Sequence, residues 1–167
     1  MNILICNVGS TSLKYQLFDM DRDAHVLAAG GAERSRFYHK NPDTGDSVQM
    51  DASFPTHREA IAAMLDHLVG GCIETLEDIA CVGFKVVHAK GVTGVQFLTE
   101  DVLQAMEAFN AVAPAHNPPY LAAIRQFQAL LPHTPLIGAF ETAFHAQLPP
   151  EAYLYPIPIE LSRKYAI

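Results

Sequence analysis

Cysteine is scarce in this 167-residue chain. Cys6, Cys72 and Cys81 are the three present, and no two of them stand in a C-x-x-C spacing. That excludes a zinc knuckle and a dithiol redox motif, and an odd count beside apolar stretches reads as three reduced, mostly buried thiols. The eight histidines form no H-E-x-x-H or other close pair, which leaves a His-based metal site without a basis. Neither G-x-x-x-x-G-K-[ST] nor G-x-G-x-x-G occurs, so a Walker A loop and a dinucleotide fingerprint are absent. Basic residues are few. With 11 Lys and Arg against 18 Asp and Glu the net charge is −7, contrary to the clustered cations that nucleic-acid phosphates require. No apolar run approaches the roughly 20 residues needed to cross a bilayer, and the opening Met-Asn-Ile-Leu-Ile-Cys-Asn lacks the basic start of a signal peptide. What is present is a composition 50% hydrophobic, enough for a core in one ordinary domain, with two small domains as the alternative. The expectation is an acidic, soluble, cytoplasmic α/β protein.

Periodicity supplies the elements. Residues 2–6 are an apolar run, residues 13–18 alternate, and Asn7-Val8-Gly9-Ser10-Thr11-Ser12 between them makes a β-hairpin turn. A third strand is expected over 25–29, after a turn-rich 19–23, and residues 33–55 read as a loop or a marginal hairpin. Thr56 and Glu59 form a capping box for a helix with Ile61, Met64, Leu65 and Leu68 on one face, stopped by Gly70-Gly71. Residues 80–87 read as a buried strand apart from Lys85. A second helix follows Thr99, with Leu103, Met106 and Phe109 among its apolar residues. Asn117 is expected to cap a third helix, with Pro118 at its first position and Tyr120, Ile124, Phe127 and Leu131 buried. A short strand over 136–140 precedes a proline-rich tail that starts another helix and ends without a terminating signal.

Four places offer chemistry. In the first hairpin, Asn7, Gly9, Ser10, Thr11, Ser12 and Lys14 gather amides, hydroxyls and an ammonium; such a turn makes an anion nest, and equally an ordinary polar hairpin. Lys85 sits in the apolar run Val82-Gly83-Phe84-Lys85-Val86-Val87-His88, where its ammonium needs an anion unless it snorkels to water. Glu141 follows the strand 136–140 at the end where α/β sheets place ligands; it could hold a metal ion, orient an attacking oxygen, or simply sit near the start of the next helix. His116, in Pro114-Ala115-His116-Asn117-Pro118, stands at a helix entrance as a ligand contact or a local hydrogen-bonder.

Together these segments resemble the acetate kinase family of carboxylate kinases, within the acetate and sugar kinase/heat-shock protein/actin superfamily. Residues 7–17 are similar to its first phosphate-binding hairpin, Ala113-Pro114-Ala115-His116-Asn117-Pro118 and Phe140-Glu141-Thr142-Ala143-Phe144-His145 to two further signatures, and Tyr153-Leu154-Tyr155-Pro156-Ile157-Pro158 to a fourth. The resemblance covers nearly the whole chain in order. It implies an RNase H-like, actin-like ATPase N-terminal domain: an α/β fold whose mixed sheet opens with a β-hairpin and is flanked by helices. Residues 1–167 are then expected to be the first domain of a two-domain enzyme more than twice as long. The missing half would carry the adenosine site, a transition-state arginine and a metal-binding glutamate. The isolated chain is expected to be inactive.

The resemblance makes Asn7 a magnesium contact and Ser10, Ser12 and Lys14 the ATP-phosphate cradle. It assigns Lys85, Val87 and His116 to binding of acetate or a similar short carboxylate, and Glu141 to the catalytic position. It further implies Mg2+ (or Mn2+), ATP/ADP as substrate, a homodimer at full length, and no nucleic-acid or membrane partner. Two positions depart from the family: Lys85 stands where Arg is usual, and Glu141 where Asp is usual. Lys lacks the planar bidentate grip of Arg, and Glu reaches one methylene further than Asp. Both charge signs are kept, and the two changes could compensate if Lys85 and Glu141 face one pocket. The implied reaction is phosphorylation of acetate to acetyl phosphate. The alternatives are a propionate, butyrate or longer-acid kinase, and a non-catalytic binding or regulatory homologue.

Overall fold

Alternation along Asn2–Val8 (β1) and Ser12–Asp19 (β2) buries Leu4, Cys6 and Val8 with Leu13, Tyr15 and Leu17, and leaves Ile5, Asn7, Lys14 and Gln16 outside. The two strands pair antiparallel from Asn2–Asp19 to Val8–Leu13, which is the hairpin expected from the sequence. The computed structural model describes residues 1–33 and 35–165; Arg34, Ala166 and Ile167, the latter two ending the expected tail helix, lie outside the described residues.

The third strand is longer than expected, His25–Glu33 (β3). Of the two readings of residues 33–55 the hairpin holds: Arg36–Lys40 (β4) and Ser47–Asp51 (β5) pair antiparallel and extend the sheet. Its turn is closed by Asn41, whose N–H donates to the Asp46 carbonyl while its side-chain oxygen accepts from Asp43 N. β5 alternates Val48 and Met50 with polar residues, but over only five residues, all of them exposed, so the period is too short to outweigh the charges and turn residues around it. Gly94–Phe97 (β7), an edge strand of four residues, is likewise too short for its period to stand out. The strand expected over 80–87 is Ile79–Val86 (β6), and it alternates rather than being buried throughout, which puts Lys85 on the open face.

The sheet order is β5-β4-β3-β2-β1-β6-β8-β7, with Leu136–Phe140 as β8. An antiparallel β3-β2-β1 meander continues into β6 and β8, both parallel to β1, in the RNase H-like arrangement. Cross-strand register places Tyr15, Gly30 and His39 in one line, where Tyr15 Oη lies 2.7 Å from His39 Nδ1. Gly30 is required there: a β-carbon would lie 2.5 Å from Tyr15 Oη and from the Tyr38 carbonyl oxygen.

Three helices cover one face. His57–Leu68 (α1) starts on the predicted capping box, with Arg58 N–H donating to the Thr56 hydroxyl and Thr56 N–H to the Glu59 carboxylate at 3.0 Å. Glu100–Glu107 (α2) ends before Phe109, which packs from the following turn against His88. Asn117–Leu130 (α3) packs on both, and Arg125 makes a two-bonded contact of 2.6 Å per bond to Glu100 that ties α2 to α3. Asn117 does not cap α3. Its side chain is fully buried and donates to the carbonyls of His88 and Met106, pinning the helix entrance to the end of β6 and to α2. Phe84 and Phe127 meet edge to face at 5.1 Å in the middle of the core. Burying each such side chain is worth about 1.5–3 kcal/mol, so this face supplies most of the folding free energy. The tail forms two short helices, Pro150–Tyr153 (α4) and Ile159–Tyr165 (α5), with no buried residue. No helix among the described residues is long and apolar enough to cross a membrane.

Candidate active site at the carboxyl ends of the central strands

Strands β1, β6 and β8 run parallel, so their carboxyl ends share one edge of the sheet, the edge at which open α/β sheets receive ligands. Asn7 lies at that end of β1, Lys85 near the end of β6, and Glu141 directly after β8. Cys6 pairs with Phe84, so Asn7 and Lys85 stand next along neighbouring strands, and Lys14 is the cross-strand partner of Asn7. The hairpin turn of residues 9–11 opens at the same edge.

Lys85 and Glu141 meet directly. Lys85 Nζ is 3.1 Å from Glu141 Oε1, with the side chains 44% and 50% exposed. Glu141 is held at this spot because the chain leaves β8 into a tight 3-10 turn, Glu141–His145, rather than a regular helix. Thr142 Oγ1 and Thr93 Oγ1, 2.9 Å apart, brace that turn against the start of β7. The hydrogen bond to Glu141 keeps the Lys85 ammonium protonated beyond the ordinary lysine range, against the partial burial that would lower it, and the Tyr120 hydroxyl acts in the same direction. An open basin of about 700 Å³ is lined by Lys85, Glu141, Ala143, Phe144 and His145. Phe144 is 88% exposed on its rim.

The phosphate-binding candidates are grouped differently. Asn7, Lys14, Gln16 and Tyr38 line a second depression, of about 320 Å³. Lys14 Nζ is 2.9 Å from Glu33 Oε1, and this contact, ahead of Tyr38, raises the lysine further into its charged range. Ser10 and Ser12 line a third, of about 210 Å³, between the turn and the start of α1. The structure therefore joins Lys85 to Glu141, Asn7 to Lys14 and Ser10 to Ser12, but encloses no single cavity around all six. Val87 is half-buried against the core beyond β6. His116 is exposed, with its ring stacked on Tyr120 at 6.2 Å.

Sequence reasoning missed Glu33 and Tyr120. Glu33 follows the small residues of β3 with no motif around it. Tyr120 belongs to the buried stripe of α3, and nothing in that periodicity signals its electrostatic influence on Lys85.

Asn7 and Glu141 each offer oxygen donors at this strand edge, a side-chain carbonyl and a carboxylate, in separate depressions. No cluster of three or more His, Cys, Asp or Glu exists among the described residues. Donors of this kind suit Mg2+, which keeps waters and is bound largely through substrate phosphates; the residues do not build an all-protein cage.

The acetokinase family model matches residues 2–167. The chain belongs to the acetokinase family. It is 43% identical to an acetate kinase from Coprothermobacter proteolyticus over 176 aligned residues, covering all of this chain and 44% of that protein. An acetate kinase from Thermosipho melanesiensis is 42% identical, again over all of this chain and 43% of the relative. The chain thus spans under half the length of the acetokinases it matches. Among solved structures, Porphyromonas gingivalis acetate kinase superposes with a TM-score of 0.85 at 31% identity, and a propionate kinase from Francisella tularensis with 0.86 at 29%. Each covers 99% of this chain and uses 43% of its own.

Proposed function

We propose that this chain forms the phosphate- and acid-binding side of an ATP-dependent carboxylate kinase, an acetate kinase that interconverts acetate plus ATP and acetyl phosphate plus ADP. The observation that carries the reading is the Lys85–Glu141 pair, at the strand edge that also bears Asn7, Lys14 and the hairpin turn, in a chain matched end to end by acetokinases. A second domain would supply the nucleoside contacts and the transition-state arginine.

Acetate is ionised at neutral pH and needs no general base. Its oxygen attacks the γ-phosphorus in line; that O–P bond forms as the bond to the ADP oxygen breaks, and the electron pair leaves with ADP. Ser10 and Ser12 with the turn amides, and Lys14 once it exchanges Glu33 for phosphate, bind the polyphosphate. Lys85 holds the acid and the transferring group, while Val87 and His116 bound the space for the acid's carbon chain. Asn7 and Glu141 would hold Mg2+, or Mn2+, together with phosphate oxygens; the ion supplies neutralisation of the developing charge. Glu141 positions rather than takes a proton. The 3.1 Å ion pair supports compensation between the two family departures, since the longer carboxylate reaches the single ammonium that replaces a guanidinium. The reading includes a cytoplasmic homodimer that works in acetyl-CoA and organic-acid metabolism.

Hydroxamate trapping with the second domain present tests this: turnover with acetate is expected, and silence with acetate, propionate and butyrate alike overturns it. A propionate preference is the second reading, favoured by the likeness to a propionate kinase. ADP is expected to bind poorly to the 167-residue chain alone; tight binding would favour a self-sufficient nucleotide module instead.

A further inference from the structure

Gly9 closes the hairpin turn by donating its N–H to the Ser12 carbonyl at 2.8 Å. Its own carbonyl accepts a hydrogen bond from His57 Nε2 at 2.9 Å, a contact made across 48 residues of sequence. His57 is the first residue of α1, and the capping box of Thr56 and Glu59 fixes that helix start independently of the turn. The imidazole is thus a post planted on the helix layer.

A trans peptide unit is planar, with its C=O and N–H directed oppositely. The Gly9 C=O and the Ser10 N–H belong to one such unit. Drawing the carbonyl onto His57, on the helix-covered side, turns the Ser10 N–H toward the opposite side, where Asn7 and Lys14 stand on the open face. A β-carbon at position 9 would lie 2.6 Å from Ser12 Oγ and would turn that hydroxyl aside. Ser10 and Thr11 are exposed, so packing does little to set the orientation of the peptides between them.

We infer that His57 is a positioning residue for the phosphate turn: its Nε2–H sets the direction of the Ser10 N–H and with it the anion-binding shape of residues 9–12. The inference rests on reading that turn as a phosphate cradle. His57 does not touch phosphate; it acts through Gly9. A carbonyl oxygen only accepts, so Nε2 carries the proton of this contact.

Amide spectra of the 167-residue chain, titrated with inorganic pyrophosphate, test it. In the parent chain pyrophosphate shifts the amides of Ser10, Thr11 and Ser12. His57→Gln, whose amide nitrogen can take the place of Nε2, keeps the free-state Ser10 resonance and binds within about twofold of the parent. His57→Phe displaces that resonance and weakens pyrophosphate by about fivefold or more, as expected for one lost hydrogen bond, with the α1 amides unmoved. An unchanged Ser10 amide and affinity in His57→Phe overturns the inference, as does equal weakening by both variants. A parent chain that ignores pyrophosphate overturns the phosphate reading, and the Ser10 resonance then still decides whether His57 orients the turn. Should His57→Phe not fold, the parent imidazole decides: Nε2 protonated and coupled to the Gly9 carbonyl is expected, and a neutral Nδ1–H tautomer overturns the inference.

Discussion

On β1, Leu4, Cys6 and Val8 lie under the helices while Ile5 and Asn7 face the open side; on β6, Val82, Phe84 and Val86 are buried and Lys85 is not. The two faces of the sheet are alternate residues of the same strands, yet one holds the fold together and the other bears the candidate site. The first face is apolar and closely packed. The second is polar, and its ion pairs are half-exposed, where such pairs add little stability. A slip of one residue in register would exchange the faces, so the packing of Phe84 and Val86 is what delivers Lys85 to the open edge. Positioning of the site is inherited from the core.

Four experiments break or sharpen this contrast. Phe127→Ala empties the centre of the covered face and is expected to cost about 3–5 kcal/mol in urea unfolding, with no residue of the site touched. A loss below about 1 kcal/mol would show that the faces share the load. Lys85→Met on the open face should do the reverse. We expect acetyl phosphate formation to fall on the order of 10²-fold, as when a charged group is removed from a phosphoryl-transfer site, with the unfolding midpoint nearly unchanged. A large stability loss with modest kinetic change would make the Lys85–Glu141 pair structural.

The buried His39 gives the covered face a pH dependence. Burial, and then the neighbouring His67, hold its pKa below the ordinary 6.5, so the folded chain binds fewer protons than the unfolded one as pH falls. Its contribution is therefore complete above pH 6.5 and is lost as pH drops from there toward the lower native value. Urea midpoints measured from pH 7.5 to 5 should decline, and His39→Gln should flatten that decline; an equal slope in both would place the titration elsewhere. The smallest effect is one of access. Burial pushes the Cys6 thiol up, out of its reactive range, and the side chain is wholly covered, whereas Cys81 is only half-buried. A thiol reagent should label Cys81 in the native protein and Cys6 only on unfolding. Prompt labelling of Cys6 would show that the covered face opens readily.

Much of this was legible beforehand. The first hairpin, the Thr56 capping box, the buried stripe of α3 and β8 all followed from period and turn chemistry, because each is decided by neighbours in sequence. The β4–β5 hairpin was visible only as one of two readings and β7 not at all, since edge strands this short give too few alternations to decide. Asn117 looked like a helix cap and is instead a buried cross-link between β6 and α2, a role set by two distant carbonyls. The candidate site was visible as separate motifs. Lys85 and Glu141 each carried a charge in need of a partner, but their meeting depends on β6 and β8 lying side by side with Lys85 opposite Ala139.

By itself, then, the sequence determined the class of fold, because local spacing governs hairpins, caps and apolar faces, and its motifs, in order along the chain, carried the resemblance to the family. Only the tertiary structure decided that Lys85 pairs with Glu141, that Lys14 is shared with Glu33, and that His57 reaches back to Gly9. Those contacts span 56, 19 and 48 residues of chain. No local rule acts over such distances; they exist because strand register and helix packing close the gaps.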